Sequence, residues 1–229
     1  GKGGVGKSTV SVNLAMALSL SGKKVGLLDV DIHGPSIPTM LNLTNASIKA
    51  TQSHMFPVEH EGLKVMSVGF LLNHRDDPII CRGPMKANII QQFLENVIWG
   101  ELDYLIVDCP PGTGDEPLSV CQKLSSLKGA IIVTTPQEVS AADVRKSVNF
   151  CRKIGTPILG VVENMSGFVC SSCGHCTEIF GNGSGKRIAE DFNIPFLGAI
   201  PIETNVSESG DQGTPLVKIS PNTKTAQIF

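Results

Sequence analysis

The chain begins with a glycine-rich loop that constrains its fold more than any other segment. Residues 1–9 match the pattern G-x-x-x-x-G-K-S/T from Gly1 to Ser8, which is typical of a phosphate-binding loop (P-loop). Its glycines permit φ > 0 and the close approach of backbone N–H groups to a phosphate. Lys7 then reaches the β- and γ-phosphates, and the Ser8 hydroxyl can ligate Mg²⁺. The residues predicted to contact the nucleotide are Gly3, Gly4, Val5, Gly6, Lys7, Ser8 and Thr9.

Apolar periodicity downstream of the loop predicts the fold class. Residues 9–20 are predicted to form a helix with Val10, Leu14, Ala17 and Leu18 on one face. Further along the chain, continuous apolar runs alternate with helical patterns, which is typical of a parallel sheet covered on both faces. The predicted strands are 25–29, 63–68, 104–108, 130–133, 158–162 and 196–200, and the predicted helices are 84–99, 141–154 and 184–192. We therefore expect an α/β P-loop NTPase fold, with a mostly parallel twisted sheet and helices on both faces.

The length of the chain and the place of the P-loop predict the domain organisation. The 229 residues suit one α/β domain, which we expect to span 1–229 with a cysteine loop near 168–178. A P-loop normally follows a strand, and we expect that strand to precede Gly1. The stretch from Thr214 is polar and is expected to end within a helix.

Composition argues against two classes of partner. The net charge is −2, and lysines and arginines cluster only in pairs, so electrostatic binding to nucleic acid is not expected. No apolar run approaches the roughly 20 residues that span a bilayer, so no membrane partner is expected. The seven cysteines of a nucleotide-binding chain indicate a reducing compartment, and we expect a cytoplasmic protein.

Three aspartates at the ends of predicted strands are candidates for the chemistry of phosphoryl transfer. Asp29 and Asp31 follow one strand, and Asp108 ends another, directly before the segment 110–115. Such a site needs Mg²⁺ held opposite the phosphates and a group that orients water. Asp108 is the natural acid to hold Mg²⁺ through water. A lone aspartate is more often a helix cap or a solvated strand end, but three such acids downstream of a P-loop favour a site.

A cluster of cysteines forms the second candidate site. Cys170 and Cys173 are spaced Cys-x-x-Cys, which places two thiolates within reach of one metal or one cluster edge. A zinc site would need four ligands, which His175 and Cys176 could complete within one chain, although adjacent ligands would be strained. Two ligands from each of two subunits would also make four, as in a symmetric dimer. Both arrangements remain open at this point.

The remaining motifs are not assigned as sites. Residues 181–187 resemble a second P-loop, but the spacing is one residue short and Arg187 replaces the Ser or Thr, so a turn that starts a helix is expected. We interpret three further cysteines as small buried hydrophobic residues, namely Cys109, Cys121 and Cys151. Cys81 has no assigned role. The histidines at 54, 60 and 74 are expected in a solvated hairpin.

Taken together, four motifs resemble one family. They are K-G-G-V-G-K-S-T at the start, D-x-D-x-x-G-P-S over 29–36, P-P-G-T-G-D over 110–115 and E-N-M-S-G-F-V-C-x-x-C over 163–173. This set resembles the Mrp/ApbC-type iron–sulfur cluster carrier ATPases, within the class that includes the nitrogenase iron protein and the Min and plasmid-partition ATPases. The match runs from residue 1 to about 213.

The resemblance implies roles around the nucleotide. Lys2 would reach across a dimer interface to the partner's nucleotide. Residues 29–36 would form a first switch loop, in which Asp29 supports the metal and Asp31 orients or activates the attacking water. Residues 110–115 would form a second switch loop, in which a backbone N–H at Gly112 senses the γ-phosphate. The resemblance also implies ATP hydrolysis with slow turnover.

For the adenine base, the resemblance places Asn164 against one side and a loop around Pro201 against the other. A turn-forming asparagine is the competing interpretation of Asn164.

The resemblance also implies the cargo and the assembly. Cys170 and Cys173 of each subunit would hold a [4Fe-4S] cluster between two subunits of a homodimer or a paralogous heterodimer. Apo iron–sulfur proteins and cluster assembly factors would be the partners. Cys176 is additional to the minimal Cys-x-x-Cys pair, and it could be a substitute ligand, a transfer thiol or neither.

Two alternatives share the P-loop. A Min- or partition-type positioning ATPase would need a basic amphipathic helix or a basic DNA face, and neither is evident in the sequence. A cluster-containing reductase of the nitrogenase iron protein type bridges its cluster with single, widely spaced cysteines. The Cys-x-x-Cys spacing favours the carrier over both.

Overall fold

A computed structural model describes residues 3–71, 83–124, 126–170 and 172–229. Lys2, His74 and Cys81 lie outside these ranges. The strands are β1 (Val25–Asp29), β2 (Lys49–Ala50), β3 (Met55–Phe56), β4 (Val58–His60), β5 (Leu63–Ser67), β6 (Tyr104–Asp108), β7 (Ala130–Thr134), β8 (Ile158–Val169), β9 (Cys176–Thr177) and β10 (Phe196–Ile202). The helices are α1 (Lys7–Leu20), α2 (Ile37–Met40), α3 (Gly83–Glu95), α4 (Asp115–Lys123), α5 (Glu138–Lys153), α6 (Ser184–Asp191), α7 (Thr204–Asp211) and α8 (Leu216–Ile219), with 3₁₀ turns at Val68–Leu71 and Ala226–Ile228.

Two mostly parallel sheets form the framework. The first has the order β4-β5-β1-β6 and the second the order β10-β8-β7, while β9 pairs with the end of β8 and β2 pairs with β3. Strands β5, β1 and β6 run parallel, as do β7, β8 and β10, whereas β4 is antiparallel to β5. In this register Asp29 lies opposite both Ser67 and Asp108. The pairing therefore brings two of the predicted acids to one edge of the first sheet.

Helices cover both faces of the sheets, as predicted. Successive residues of a strand point to opposite faces, and in β1 Leu27 packs into the core formed with α1 while Leu28 packs into the core formed with α3 and α4. In β7, Ile132 packs with α5 and α6, and Val133 packs with Val10 of α1. Helix α1 thus contacts both sheets.

This central place of α1 corrects the predicted single buried face. Val10 is buried as expected, but Val12, Ala15 and Met16 are also buried against the first sheet. A helix packed between two sheets buries more than one of its faces. The apolar periodicity of residues 9–20 therefore predicted only part of the buried surface of α1.

The bounds of the predicted elements agree with the structure to within about three residues, except at the ends of β8 and α3, where tertiary contacts extend or end the element. Strand β8 continues to Val169, seven residues beyond the predicted end, because its last residues pair with β9. Helix α3 ends at Glu95 rather than at residue 99. The chain beyond it turns to pair with Met55, whose N–H donates to the Asn96 carbonyl (2.9 Å) and whose carbonyl accepts from the Ile98 N–H (2.9 Å).

The C-terminal segment is packed rather than polar throughout. Leu216 and Val217 are buried, and Val217 belongs to the core formed with α1. The Val217 N–H donates to the Asn13 side-chain oxygen (3.2 Å). Thr225 is buried and donates a hydrogen bond to Glu203. The expectation of a polar tail from Thr214 was therefore wrong. Among the described helices, none combines the length and apolar character needed to cross a bilayer.

Gly213 offers a test of this packing. Its φ is +72°, and a Cβ there would lie 2.7 Å from the backbone nitrogen of Asn42. Gly155 has a similar φ of +73° with nothing within 4 Å, so it isolates the cost of the left-handed backbone. We expect Gly155→Ala to lower the free energy of unfolding by about 1 kcal/mol, and Gly213→Ala by about 3 kcal/mol or more because backbone must also move. If urea titrations showed that both variants lose the same free energy of unfolding, the close packing at Gly213 would be contradicted.

Candidate functional site

The P-loop has the backbone that its glycines were expected to provide. Gly4 and Gly6 have φ of +77° and +82°, which residues with a Cβ rarely adopt. Helix α1 begins directly after Gly6, two residues earlier than predicted, and the Val10 N–H donates to the Gly6 carbonyl (3.0 Å). Lys7 and Ser8 therefore lie in the first turn of α1, as does Thr9. This turn lies at the positive end of the helix dipole, which favours an anion.

Asp108 is in contact with this first part of α1. The Ser11 hydroxyl donates to Asp108 Oδ1 (2.9 Å), and the Ser8 hydroxyl also hydrogen-bonds this carboxylate. Burial raises the pKa of Asp108, and the hydrogen bonds from Ser8 and Ser11 and the charge of Lys7 oppose that rise. The predicted magnesium ligand Ser8 and the predicted acid therefore touch.

Asp29 is fully buried beside Asp108. Its Oδ1 accepts from the Asp31 N–H (3.0 Å), and its Oδ2 accepts from the Ser67 hydroxyl (2.9 Å). Burial, followed by the neighbouring charge of Asp108, raises the pKa of Asp29 to about 8 despite these hydrogen bonds. Two buried carboxylates next to each other are unfavourable when both are ionised.

These donors fit a magnesium ion. Carboxylate and hydroxyl oxygens are the ligands that Mg²⁺ prefers, and it keeps several waters and substrate phosphates as further ligands. A dication would offset the repulsion between Asp29 and Asp108. Among the described residues no three His, Cys, Asp or Glu side chains converge as a ready-made metal site.

Asp31 is half-buried in the first switch loop. Its Oδ1 accepts from the backbone N–H groups of His33 and Gly34 (both 3.2 Å). This carboxylate therefore stabilises the turn of its own loop. Its predicted part in orienting water stays a prediction.

The second switch loop borders a cleft beside the P-loop. Gly112 is exposed with φ of +94°, and the cleft, of about 280 Å³, is lined by Gly3, Pro111, Gly112, Thr113, Asp143, Lys146 and Ser147. The last three belong to α5 and were missed from the sequence. Their spacing of three and four residues places them on one helical face, but the sequence alone does not say which loop that face meets.

Asn164 braces the P-loop. Its side chain is buried, and Nδ2 donates to the Val5 carbonyl (2.9 Å). A Cβ at Gly6 would lie only 2.2 Å from that nitrogen, so the glycine allows this approach. Asn164 lies within β8 rather than after a strand, which corrects its predicted position and does not favour the competing interpretation as a turn-forming asparagine. The adenine contact stays a prediction.

Pro201 also differs from its predicted setting. It lies within β10 rather than in a loop, at an irregularity in the pairing with β8 between Ile200 and Ile202. Proline cannot donate to a ladder and is found in sheets at such irregularities.

The cysteine loop is a closed hairpin at the end of β8. The Cys170 N–H donates to the His175 carbonyl (2.9 Å), and the Gly174 N–H donates to the Cys170 carbonyl (2.8 Å). Strand β9 then returns Cys176 opposite Val169. Cys173 and Cys176 are exposed and Cys170 is half-buried.

The backbone of this hairpin favours a thiolate at Cys170. N–H groups of Cys173 and then Ser172 hydrogen-bond its sulfur and lower its pKa. The thiolate is the form that binds metals. The structure describes all four candidate zinc ligands, which are Cys170, Cys173, His175 and Cys176. Among the described residues, no three His, Cys, Asp or Glu side chains are placed to hold one metal ion. This arrangement does not support the zinc site within one chain.

The glycine-rich segment 181–187 binds an internal carboxylate. Glu163 is buried, and its Oε1 accepts from the Ser166 hydroxyl (2.7 Å) and the Gly183 N–H (3.1 Å). Its Oε2 accepts from the Gly185 N–H (2.7 Å). The carboxylate thus occupies the start of α6, where an anion is favoured, and the expected helix-starting turn is confirmed.

The other described cysteines are structural. Cys121 lies in α4 and Cys151 in α5, as predicted. Burial raises the pKa of the Cys109 and Cys151 thiols, which disfavours the reactive thiolate. The interpretation as small hydrophobes therefore holds for Cys109 and Cys151.

Comparison with known proteins places the site in context. A family model described as ParA: NUBPL iron-transfer P-loop NTPase matches residues 1–229. The iron–sulfur cluster carrier protein of Methanocaldococcus jannaschii is 53% identical over 218 residues, covering 95% of this chain and 75% of that protein. The cytosolic Fe–S cluster assembly factor Nubp2 homolog of Anopheles gambiae is 52% identical over 234 aligned residues, covering 100% and 90%.

Solved structures agree with the fold. A nucleotide-binding protein from Archaeoglobus fulgidus, in complex with ADP and with cobalt, has a TM-score of 0.81 and 44% identity, covering 93% of this chain and 83% of that one. The septum site-determining protein MinD of Pyrococcus horikoshii, complexed with Mg-ADP, has a TM-score of 0.70 and 24% identity, covering 100% and 89%. The second likeness is one of fold alone. The predicted P-loop NTPase fold is confirmed.

The raised pKa of Asp29 predicts how stability depends on pH without nucleotide and magnesium. Because the folded protein holds this proton more tightly than the unfolded chain, its contribution to stability is full below pH 4 and is lost as the pH rises towards about 8. Asp29→Asn removes that loss, so at pH 8 we expect the variant to exceed the wild type by about 2 kcal/mol, with no such gain at pH 4.

Chemical unfolding in a chelator at both pH values measures this difference. Asp191→Asn removes an exposed carboxylate paired with Arg145 and is the matched control. Parallel pH profiles for wild type and Asp29→Asn would contradict the buried-pair account.

Proposed function

The chain belongs to the NUBPL iron-transfer P-loop NTPase family, and from that premise we propose that it binds ATP with Mg²⁺, hydrolyses it slowly and carries an iron–sulfur cluster to apoproteins. The observation that carries this proposal is the path of β8. One strand contacts the P-loop through Asn164 and ends at Val169, directly before Cys170, the first cysteine of the Cys-x-x-Cys pair.

The nucleotide half of the proposal rests on the surroundings of the P-loop. The N-terminus of α1 and Lys7 bind the phosphates, and Asp29, Asp108 and Ser8 hold Mg²⁺. When bound, that ion neutralises charge on the phosphates. Asp31 orients the attacking water. The K-G-G-V-G-K pattern supports the assignment of Lys2 to the partner's nucleotide, as the family resemblance implies.

The cargo half rests on the cysteine hairpin. A [4Fe-4S] cluster is held by four thiolates, and the Cys-x-x-Cys pair of one chain supplies two. Two copies of the hairpin related by a two-fold axis would supply four. We therefore propose a cluster bridging Cys170 and Cys173 of two subunits, in a homodimer or a paralogous heterodimer.

The two halves are linked through β8. Asn164 donates to the Val5 carbonyl of the P-loop, and Cys170 follows six residues later on the same chain segment. Glu163 ties the same strand to α6, so the strand is anchored where it meets the nucleotide loop. We propose that a shift of the P-loop on nucleotide binding reaches the cysteine hairpin by this route.

Partners and location follow the family. The names of the relatives support apo iron–sulfur proteins and assembly factors as partners, and cytosolic relatives support a cytoplasmic location. The net charge of −2 supports neither a nucleic-acid nor an anionic membrane partner. A positioning ATPase has only a likeness of fold in its favour.

The cluster ligands can be tested by anaerobic reconstitution with iron and sulfide. We expect the wild type to take up about two iron and two sulfide per chain, and Cys170→Ser, Cys173→Ser and the double variant to lose nearly all of it. Their affinity for ADP should stay within about twofold, because neither side chain lies in the P-loop.

Cys121→Ser, which changes a cysteine of α4, is the matched control and should retain wild-type iron. Wild-type iron in both loop variants would show that the ligands lie elsewhere. Loss of iron in Cys176→Ser as well would add a third ligand.

A further inference from the structure

One lysine that no motif includes contacts the first switch loop and the residue that directly follows the second. Lys86 lies on α3, and its Nζ is 2.9 Å from Oε1 of Glu116 and 2.5 Å from Nε2 of His33. Glu116 directly follows the second switch loop, and His33 lies in the first switch loop, two residues after Asp31. The contact therefore joins two segments that are about 80 residues apart in the sequence.

The Lys86–Glu116 pair is shielded from solvent, whereas His33 is exposed. The side chains of Lys86 and Glu116 are 17% and 11% exposed, whereas those of the surface pair Lys24 and Glu101 are 63% and 89% exposed. Burial alone would raise the pKa of Glu116, but the hydrogen bond and charge of Lys86 outweigh it and hold that pKa below its usual value. An ammonium group only donates, so His33 Nε2 accepts from it.

Neither helix needs this contact in order to form or to pack. Helices α3 and α4 already pack through Ile90, Phe93 and Val120, which are buried together. Glu116 also lies in the first turn of α4, where the helix dipole favours a carboxylate without a partner. What the lysine adds is a connection between the two loops.

We propose that Lys86 is a positioning residue that couples the first switch loop to the second, so that closure of either loop on a nucleotide favours closure of the other. This inference rests on the proposed ATPase function. Lys86 touches neither the P-loop nor the three predicted acids in any described contact, so it acts through His33 and Glu116.

Hydrogen exchange with and without the non-hydrolysable analogue AMPPNP and Mg²⁺ tests the coupling. In the wild type we expect the analogue to slow exchange in residues 29–36 and 110–118 together. In Lys86→Met the protection of one segment should shrink at least about threefold while the other retains it, because the loops no longer close as a unit.

Steady-state kinetics give a second readout. We expect Lys86→Met to lower kcat for ATP about tenfold while KM and the Kd for ADP stay within about threefold, since the P-loop is intact. Lys86→Arg keeps the charge and should recover much of the loss. Lys24→Met removes a lysine of an exposed ion pair and should match the wild type in both readouts.

The outcomes separate this inference from the proposed function. Wild-type exchange in both loops and wild-type kcat in a folded Lys86→Met variant would overturn the coupling. If Lys86→Met does not fold, His33→Ala breaks only the arm to the first loop, and the same separation of the two exchange responses is required. A wild type that hydrolyses no ATP would remove the ATPase proposal, while the exchange experiment would still decide the coupling.

Discussion

The hydrogen bond from Asn164 to the Val5 carbonyl connects the two working parts of the molecule. It fastens the P-loop, which precedes α1, to the strand that ends in the cysteine hairpin. The approach is possible because Gly6 has no Cβ to meet the asparagine. Because α1 also packs against both sheets, the proposed coupling would run through packed elements rather than through a loop. Coupling requires such discrete, packed connections.

A second constraint is electrostatic and comes from the two buried acids beside the start of α1. The register of β1 and β6 buries Asp29 and Asp108 side by side, and the folded chain tolerates this only with one proton retained or a cation nearby. The hydroxyls of Ser8 and Ser11 orient Asp108 towards α1. The arrangement is therefore poised for a dication and a phosphate. The same strand ends lead into the two predicted switch loops, so under the proposed function the positions of these loops depend on what occupies the site.

Much of this could be predicted from the sequence, because local patterns determined it. The strands ending in Asp29 and Asp108 have the predicted bounds, since continuous apolar runs and a terminal acid are local signals. Contacts between distant segments could not be predicted. Glu163 bonds to glycines about twenty residues away, and Lys86 joins loops on either side of it. The end of α3 depends on pairing with Met55. Each depends on a tertiary approach that has no periodicity in the sequence.

The link through β8 is tested most directly by the rate at which a chelator removes iron from the reconstituted protein, with and without saturating AMPPNP and Mg²⁺. The account predicts that nucleotide changes this rate at least about threefold in the wild type, and that Asn164→Ala largely removes the effect while both sites still fill. A wild-type rate that is the same with and without bound nucleotide would contradict it. The coupling free energy between the nucleotide site and the cluster site would then be close to zero.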